Sequence, residues 1–298
     1  MVIPHYPDFK ALEIDDRLWI GRKLRLTSRQ ICELSPGNIF IWKDFDHTRV
    51  TCINDNVCMQ INPPNEAPYF LEPVGGNKIP ETVKTMFELR GRISRVSKHF
   101  TTLLPKGAYT FEPLRNQFDY LYLREELAQL KGKKFDGKRN HIKRFRSAHH
   151  NYQYWPFDPA AKDKALALFE KWFAVRQESK FFPRLAYTSQ KGAIVEAFRY
   201  FKELHLLGGM LWSDHKLMGF TIGSAINPET ISVHFLYGDP EARGSSQTML
   251  WQACSKTYHE YKIVDLEQDL GIPGLRSAKL SYHPLRLEEK FEVRPHQG

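Results

Sequence analysis

The most chemically suggestive side chains of the sequence lie near the carboxyl terminus, where acidic and basic residues follow one another at short spacings. Two carboxylates and an amide end a strand-like run, and a loop with two glycines and a proline separates them from two cations and a phenol: Glu267, Gln268, Asp269, Arg276, Lys279 and Tyr282. If residues 275–282 form a helix, the last three lie along one side of it. Carboxylates can orient or deprotonate an acceptor, and cations can hold phosphate or a developing oxyanion. We therefore expect these side chains to converge on one ligand.

A second candidate binding region is the basic segment of residues 131–146. It holds eight lysines and arginines and one acidic residue, Asp136, so it carries most of the formal net charge of +9. Charge concentrated in this way produces a local positive field that attracts anions. Ile142 and Phe145 lie three apart on one helical face, which predicts an anchored helix instead of a mobile tail.

The start of that predicted helix, at Asp136 or Gly137, places two cations in its first turn. Cations there oppose the helix dipole by about 0.3–1 kcal/mol each, so the placement makes more sense beside a bound anion, which the N–H groups of the helix start would also attract. We assign phosphate binding to Lys138, Arg139, Asn140 and Arg144. A solvated basic face, or a linker between two halves of the chain, is the alternative and stays open.

The segment 237–248 links a predicted strand to a predicted helix. Arg243 and Gly244 match the start of the RGxGxG or RGxGxA loop that wraps the pyrophosphate of acetyl-coenzyme A in one class of acyltransferases. Ser246 and Thr248 occupy the later small-residue positions, where their side chains would crowd a pyrophosphate. The partial match supports the fold of these acyltransferases more strongly than it supports coenzyme A binding. No cofactor is therefore certain, and acyl-coenzyme A stays an alternative.

The sequence lacks the residue patterns of zinc sites, other metal sites and covalent nucleophiles. The four cysteines show neither CxxC spacing nor histidines at zinc-finger distance, which predicts reduced, mostly buried thiols. The twelve histidines form no HExxH or HxH pattern, so we assign no metal. A GxSxG nucleophile elbow is also absent from the sequence, which disfavours a covalent enzyme intermediate.

The elements that must position these residues follow from the hydrophobic periodicity of the second half. Apolar faces predict helices over residues 163–178, 193–204 and 246–259. Strands are predicted over residues 206–212, 217–225, 231–237 and 263–267, with turns at Asp214-His215 and Asn227-Pro228.

The first half shows a similar order of elements. It predicts a short helix over residues 28–34 with Thr27 or Ser28 as its cap, strands over 39–42, 50–53 and 57–61 with a turn at Asp55-Asn56, a helix over 80–89 and a strand over 118–123. Helices, antiparallel strands, a further helix and a last strand are the order of an acetyltransferase-type fold. We therefore predict an α/β fold of two tandem GNAT-like domains, with mixed and mostly antiparallel sheets flanked by helices.

Length and composition agree with two globular domains. At 298 residues, with 42% hydrophobic residues, the chain predicts about two domains with substantial cores. We expect an N-terminal domain over residues 1–130, the basic helix and a connection over 131–155, and a C-terminal domain over 156–298. The sequence has no apolar run of about 18 residues, which a membrane span needs, and no signal-peptide pattern, so we expect a cytoplasmic protein.

The basic segment GKKFDGKRNHIKRF and the later stretch EQDLGIPGLRSAKLSYHP together resemble the DUF2156 family, which is related to the carboxyl-terminal domain of phosphatidylglycerol lysyltransferase. The resemblance covers most of the chain. It implies two tandem acetyltransferase-like domains and a relation to transferases that move an aminoacyl group from aminoacyl-tRNA to a lipid or peptidoglycan acceptor. Full lysyltransferases also carry an amino-terminal bundle of membrane helices, which this sequence lacks.

Aminoacyl transfer gives the candidate residues specific roles. We expect Asp269 or Glu267 to orient or deprotonate the acceptor, Lys279 and Arg276 to hold phosphate or the oxyanion, and Tyr282 to donate the proton to the leaving oxygen. Gln268, Arg243 and Gly244 complete the expected substrate contacts. The donor is expected to be tRNA or another phosphate-bearing acyl donor, and the acceptor a small molecule, a lipid headgroup or a peptide. An acyl-coenzyme A-dependent N-acyltransferase, or a noncatalytic anion- or nucleic-acid-binding protein, is the alternative.

Overall fold

The computed structural model describes residues 3–64, 66–89, 91–176 and 184–296, with the side chains of 184–186 left aside. It divides into two compact units. The first comprises residues 1–119, 268–271 and 287–298, and the second comprises residues 120–267 and 272–286. These bounds differ from the division expected from sequence at 130 and 156, because the last strand of the chain belongs to the sheet of the first unit.

The strands of the described residues, in chain order, are β1 (Lys10–Ala11), β2 (Arg49–Ile53), β3 (Asn56–Ile61), β4 (Tyr69–Phe70), β5 (Arg92–Ser97), β6 (Tyr109–Pro113), β7 (Asp119–Leu123), β8 (Gln153–Pro156), β9 (Leu207–Ser213), β10 (Lys216–Asn227), β11 (Thr230–Gly238), β12 (Ile263–Asp265), β13 (Arg286–Glu288) and β14 (Lys290–Pro295). The α-helices are α1 (Arg17–Arg25), α2 (Pro36–Ile41), α3 (Ile79–Glu88), α4 (Lys98–Thr101), α5 (Arg124–Gln129), α6 (Asp136–Ala148), α7 (Lys162–Ala174), α8 (Arg184–Arg199), α9 (Ser245–Gln252) and α10 (Pro273–Leu280).

The sheet of the first unit has seven strands in the order β1-β2-β3-β4-β5-β14-β6. The predicted hairpin of β2 and β3 is confirmed, but its turn lies at Asn54-Asp55, one residue before the predicted Asp55-Asn56, because Asn56 pairs with Ile53. The turn uses positive φ angles of 50° at Asn54 and 63° at Asp55, which these residue types tolerate best after glycine. The chain end returns as β14 between β5 and β6, antiparallel to both. The helix predicted over residues 80–89 is confirmed as α3, whose Val83 and Met86 pack into the core.

Two predictions for residues 28–42 are wrong. Residues 39–42, predicted as a strand, lie mostly in helix α2, because the Ser35 hydroxyl accepts the Asn38 N–H and Pro36 fixes the first helical position. These local signals override the β-branched residues that follow. The short helix expected over residues 28–34 is reduced to a 3₁₀ turn, Cys32–Leu34.

The second sheet has seven strands in the order β13-β7-β12-β11-β10-β9-β8. The three predicted antiparallel strands are confirmed as β9, β10 and β11, and the turn at Asp214-His215 has positive φ at both residues. Strand β12 pairs parallel to β11, since α9 and the π-helical turn Ala253–Thr257 lie between them in the chain.

The predicted helices of this unit are confirmed with shifted ends. Helix α7 ends at Ala174, and residues 177–178 of the prediction fall outside the described residues. Helix α6 begins at Asp136, as expected, and buries Ile142 and Phe145. Within the part of the chain that the structure describes, no helix combines the length and apolarity needed to cross a membrane.

Candidate active site

The candidate site of the second unit lies where the parallel strands β11 and β12 separate. Their pairing runs from Thr230 with Ile263 to Ser232 with Asp265 and stops there, although β11 continues to Gly238. The chain after β12 instead follows β7: the N–H of Leu266 donates to the carbonyl of Tyr120 at 3.0 Å. A gap therefore opens beside β11 directly after the last pair.

The side chains of His234 and Glu267 bridge this gap. Imidazole Nδ1 of His234 lies 2.7 Å from Oε1 of Glu267, and Nε2 lies 2.7 Å from Oγ of Ser224 on β10. The hydroxyl of Ser232 donates to the same Oε1 at 2.9 Å. The imidazole is fully buried, whereas 16% of the Glu267 side chain is exposed. Of these two side chains, that of Glu267 is therefore the one that an external group can reach.

The carboxylate of Glu267 is held in its ionised form. Burial alone would raise its pKa, but the hydrogen bond and charge of His234, the Lys279 charge and the Ser232 hydroxyl together bring the pKa below its ordinary value. At neutral pH the site thus offers a negative oxygen next to an imidazole. Such a pair can bind an N–H or O–H of an acceptor and take up its proton.

The backbone at Glu267 has an uncommon conformation that Lys279 supports. Glu267 has φ of 58°, which few residues other than glycine adopt. The ammonium of Lys279, on α10, donates to the carbonyl oxygens of Leu266 and, at 2.9 Å, of Glu267. From its sequence position, this ammonium is expected to hold phosphate or an oxyanion. In the structure it fixes the main chain that presents the carboxylate.

Sequence reasoning missed three members of this network: Ser224, Ser232 and His234. A signal was present, because Ser232 and His234 are polar residues two apart in an otherwise apolar strand, so they share one face. Their connection to Glu267 depends on the parallel pairing of β11 with β12, which no local pattern specifies.

Asp269 and Gln268, expected beside Glu267, belong to the first unit. Both carboxylate oxygens of the fully buried Asp269 accept bonds, one from Arg115 Nη1 at 3.1 Å and one from the Gly271 N–H at 2.8 Å. The Gln268 amide oxygen accepts from the thiol of Cys32 at 3.3 Å. Asp269 thus stabilises the loop that contains it, as a turn residue does.

The region around Tyr282 connects α10 to the basic helix. The Lys138 ammonium lies 3.8 Å from the centre of the Tyr282 ring and donates to the Ser281 hydroxyl at 2.6 Å. Burial raises the pKa of Tyr282, so its phenol keeps its proton at neutral pH. Burial also lowers the pKa of Lys138. Arg276 lies on α10 one turn before Lys279, as the predicted spacing of three requires.

The other predicted phosphate ligands differ in how they are held. Arg139 is engaged within its own segment, because its guanidinium donates to the carbonyls of Leu130 and Gly132 and pairs with Asp136. Asn140 and Arg144 are exposed on α6, and Arg243 is exposed ahead of α9.

A cavity of about 530 Å³ lies along one face of α6. Its wall includes Arg139, Lys143 and Arg146 from the helix, and Tyr152 and Trp251 from the chain around it. Lys279 does not line this cavity. Arg139 and Lys279 therefore do not share this cavity, although Lys138 joins α6 to the end of α10.

The loop that resembled a pyrophosphate-binding loop packs against α6. Gly244 has φ of 92°, and a Cβ atom placed there would overlap the carbonyl oxygen of His141 and touch Phe145. The close approach that glycine permits is thus made to the basic helix of the same chain. The start of α9, where an anion would otherwise bind, is covered by α6 at this point.

A buried ionic cluster lies in the first unit. The ammonium of Lys290 is 2.6 Å from a carboxylate oxygen of Glu33, 2.7 Å from Asp119 and 3.5 Å from the sulfur of Cys32. Burial raises the pKa of Asp119 to about 6, against the opposing charge of Lys290.

Cys32, Glu33 and Asp119 are the kind of side chains that bind metal ions, and their ligand atoms lie within 4.8 Å of one another. Since Lys290 already supplies a cation to both carboxylates, this cluster is an internal ion-pair network that positions the last strand.

Comparisons with known proteins agree with this architecture. The family described as phosphatidylglycerol lysyltransferase, C-terminal, matches residues 24–294. A solved Bacteroides thetaiotaomicron protein described as conserved and of unknown function is 28% identical, with a TM-score of 0.85, covering 99% of this chain and 100% of that one. The comparison with curated proteins finds no match.

Two more distant structures share the fold. The C-terminal DUF2156 domain of a putative lysylphosphatidylglycerol synthetase from Agrobacterium fabrum is 13% identical, with a TM-score of 0.63, over 94% of this chain and 92% of that one. The L-PGS structure from Bacillus licheniformis is 14% identical, with a TM-score of 0.64, over 100% and 95%. The predicted fold class, two tandem GNAT-like domains with mostly antiparallel sheets, is confirmed.

Proposed function

The chain belongs to the family of phosphatidylglycerol lysyltransferase C-terminal domains, and from this premise we propose that it transfers an aminoacyl group from aminoacyl-tRNA to an acceptor amine or hydroxyl. The observation that carries the proposal is the ionised carboxylate on the partly exposed side chain of Glu267, held by His234 at the separation of β11 and β12. Aminoacyl transfer needs such a group to receive the acceptor's proton.

In the proposed reaction the acceptor nitrogen or oxygen attacks the carbonyl carbon of the aminoacyl ester. The proton of the acceptor passes to Glu267, while His234 and Ser232 keep the carboxylate in place. The bond from the acyl carbon to the ribose oxygen then breaks, and that oxygen takes a proton. Tyr282 remains the proposed donor, since its phenol is protonated at neutral pH.

The exposed main chain of β11 supplies a further element of the proposal. The residue His234 is partly exposed although its imidazole is not, so the exposed part is its backbone. Main-chain N–H groups stabilise a tetrahedral oxyanion well, because they are fixed before the reaction begins, and we propose this role for the exposed backbone at His234. Lys279 takes a positioning role here, through the carbonyls of Leu266 and Glu267.

The packing of α6 against Gly244 favours tRNA over acyl-coenzyme A as donor. A pyrophosphate at the start of α9 would compete with the His141 carbonyl and Phe145 for the space beside Gly244. Exposed cations remain on α6, at Lys143, Arg144 and Arg146, and can contact a polyanion. The acceptor classes under the proposal are a small molecule, a lipid headgroup or a peptide amine.

The test is transfer from tRNA charged with radiolabelled amino acids, with phosphatidylglycerol vesicles, peptide amines and small amines as separate acceptors. The proposal expects labelled product with at least one charged tRNA and one acceptor class. A parallel thermal-shift series with acetyl-coenzyme A and coenzyme A addresses the alternative donor. Stabilisation by these ligands that grows with their concentration, together with no product from any charged tRNA, would contradict the proposal.

A further inference from the structure

The cavity along α6 has a composition that suits one chemical class of ligand. Two of its cations, Lys143 and Arg146, lie three apart on the same helical face and are exposed. Neither forms a side-chain hydrogen bond or an ion pair with another described residue. This contrasts with Arg139 on the same wall, which is engaged with carbonyls and with Asp136. Two positive charges are therefore available at this cavity for an anionic ligand.

Two aromatic side chains, Tyr152 and Trp251, belong to the part of the wall that α6 does not supply, beside Gln129, Leu130 and His150. The indole N–H of Trp251 donates to the carbonyl of Ala128 at 2.9 Å, and the Tyr152 hydroxyl accepts from Gln252 at 3.3 Å. The Tyr152 ring also packs edge-on against Phe145 at 5.6 Å. Both rings are thus fixed without a ligand. Aromatic side chains held in this way stack on bases at about 1–3 kcal/mol per base, with little dependence on sequence.

The size of the cavity agrees with a ligand of nucleotide dimensions. Its volume of about 530 Å³ lies within the range of roughly 300–1,000 Å³ that ligand sites usually have. A free metal ion or inorganic phosphate would leave most of it empty, and an apolar ligand would leave Lys143 and Arg146 without a partner.

We propose that this cavity is a subsite for an unpaired nucleotide of the tRNA donor, with the flanking phosphates at Lys143 and Arg146 and the base against Trp251 and Tyr152. This inference rests on the proposed function, because it identifies the part of the donor that the basic helix contacts. Under this proposal the carboxyl-terminal half of α6 makes the phosphate contacts. Lys138 and Arg139, which were predicted to make them, contact other groups of the protein instead.

The experiment compares two double variants that lose the same charges. Lys143→Ala/Arg146→Ala removes the two cavity cations, and Lys202→Ala/Arg22→Ala removes one exposed lysine and one exposed arginine that neither line the cavity nor belong to the basic segment. Affinity for tRNA is measured as a function of salt concentration. We expect the cavity variant to bind at least tenfold more weakly and its log–log salt slope to fall by about 1.5, since each lost phosphate contact contributes roughly 0.7–0.9. The control should change affinity by less than threefold.

A third variant tests the base contact. Tyr152→Leu keeps an apolar wall but removes the ring, and we expect it to weaken tRNA binding while leaving the salt slope unchanged. If the wild type transfers aminoacyl groups from tRNA and the cavity double variant binds tRNA like the control, the subsite is overturned and the proposed function stands. If the wild type neither binds tRNA nor uses it as donor, both are overturned.

Discussion

Nδ1 of His234 lies 2.7 Å from Oε1 of Glu267, so that a residue within β11 contacts a residue just beyond the end of β12. The two strands are paired in parallel only as far as Ser232 and Asp265. The side-chain contact therefore lies directly after the last main-chain pair of the two strands. It also fixes a charged group at a place where the backbone of β11 is accessible.

This contact makes the pH dependence of the reaction a test of His234. In the wild type, His234 helps to hold the pKa of Glu267 below its ordinary value, so the acid limb of the pH–rate profile lies below about pH 4.5. In His234→Gln the charge is lost and burial prevails, so the limb moves to higher pH. We expect the rate near pH 5, relative to the rate at pH 7, to be lower in the variant than in the wild type. Ser232→Ala, which removes a neutral donor to the same oxygen, should shift the limb less. Superimposable profiles for wild type and His234→Gln would show that the imidazole does not set the charge of Glu267.

Lys279 should matter for both stability and activity because its ammonium satisfies two main-chain carbonyls. Lys279→Met leaves the carbonyls of Leu266 and Glu267 without this donor, at a cost of about 1–3 kcal/mol in the free energy of unfolding. Urea unfolding measures this cost. Lys262→Met, which removes an exposed pair with Glu229, should cost less than about 1 kcal/mol. Equal losses in the free energy of unfolding for the two variants would show that Lys279 does not position this main chain.

Gly244 should tolerate no side chain. Gly244→Ala would place a Cβ atom against the His141 carbonyl at a residue with φ of 92°, so we expect a loss of about 1–3 kcal/mol in stability and weaker tRNA binding as α6 moves. Gly137→Ala is the matched control, because a Cβ atom added there in α6 would meet nothing within 4 Å and alanine favours the helix by up to about 1 kcal/mol. Chemical denaturation and a tRNA titration measure both effects. A stable Gly244→Ala protein that gains affinity for coenzyme A would contradict the packing argument.

The buried Glu72 should make the stability depend on pH. Burial raises its pKa to about 7, although its bond from the Ser97 N–H at 2.7 Å acts in the opposite direction. Between pH 4.5 and 7 the folded state keeps a proton that the unfolded state releases, so stability falls as the pH rises through this range. The wild type should lose up to about 3 kcal/mol relative to Glu72→Gln between pH 4.5 and 8. Parallel unfolding curves at these pH values would contradict the raised pKa.

Local patterns specified much of the fold. Apolar residues between turn residues predicted the hairpin of β2 and β3 and the strands β9 to β11. The spacing of Ile142 and Phe145 predicted helix α6, which buries both side chains. Strand β14 was not predicted, although its charged residues alternate with apolar ones, because its partners β5 and β6 are far away in sequence. Only the complete fold stabilises such a strand.

The candidate site was predicted in part. Glu267 and Lys279 were identified from residue type and spacing, but the contact of Lys279 with main-chain carbonyls depends on where α10 lies. His234 is two residues from Ser232 in a buried strand, and polar residues there are also common as structural hydrogen-bonding groups. Asp269 was predicted to act on the acceptor, but Arg115 and Gly271 each donate a hydrogen bond to one of its carboxylate oxygens. Its position in a turn after a strand did not indicate these contacts.

Single-turnover transfer by wild type and Glu267→Gln shows whether Glu267 takes the acceptor's proton during transfer from aminoacyl-tRNA. Labelled aminoacyl-tRNA is bound to each protein, its affinity is measured, and the acceptor that gave product is then added. We expect the same tRNA affinity within twofold and transfer by the variant that is about 10²–10⁴-fold slower. Transfer at equal rates by both proteins would exclude Glu267 as the group that takes the acceptor's proton.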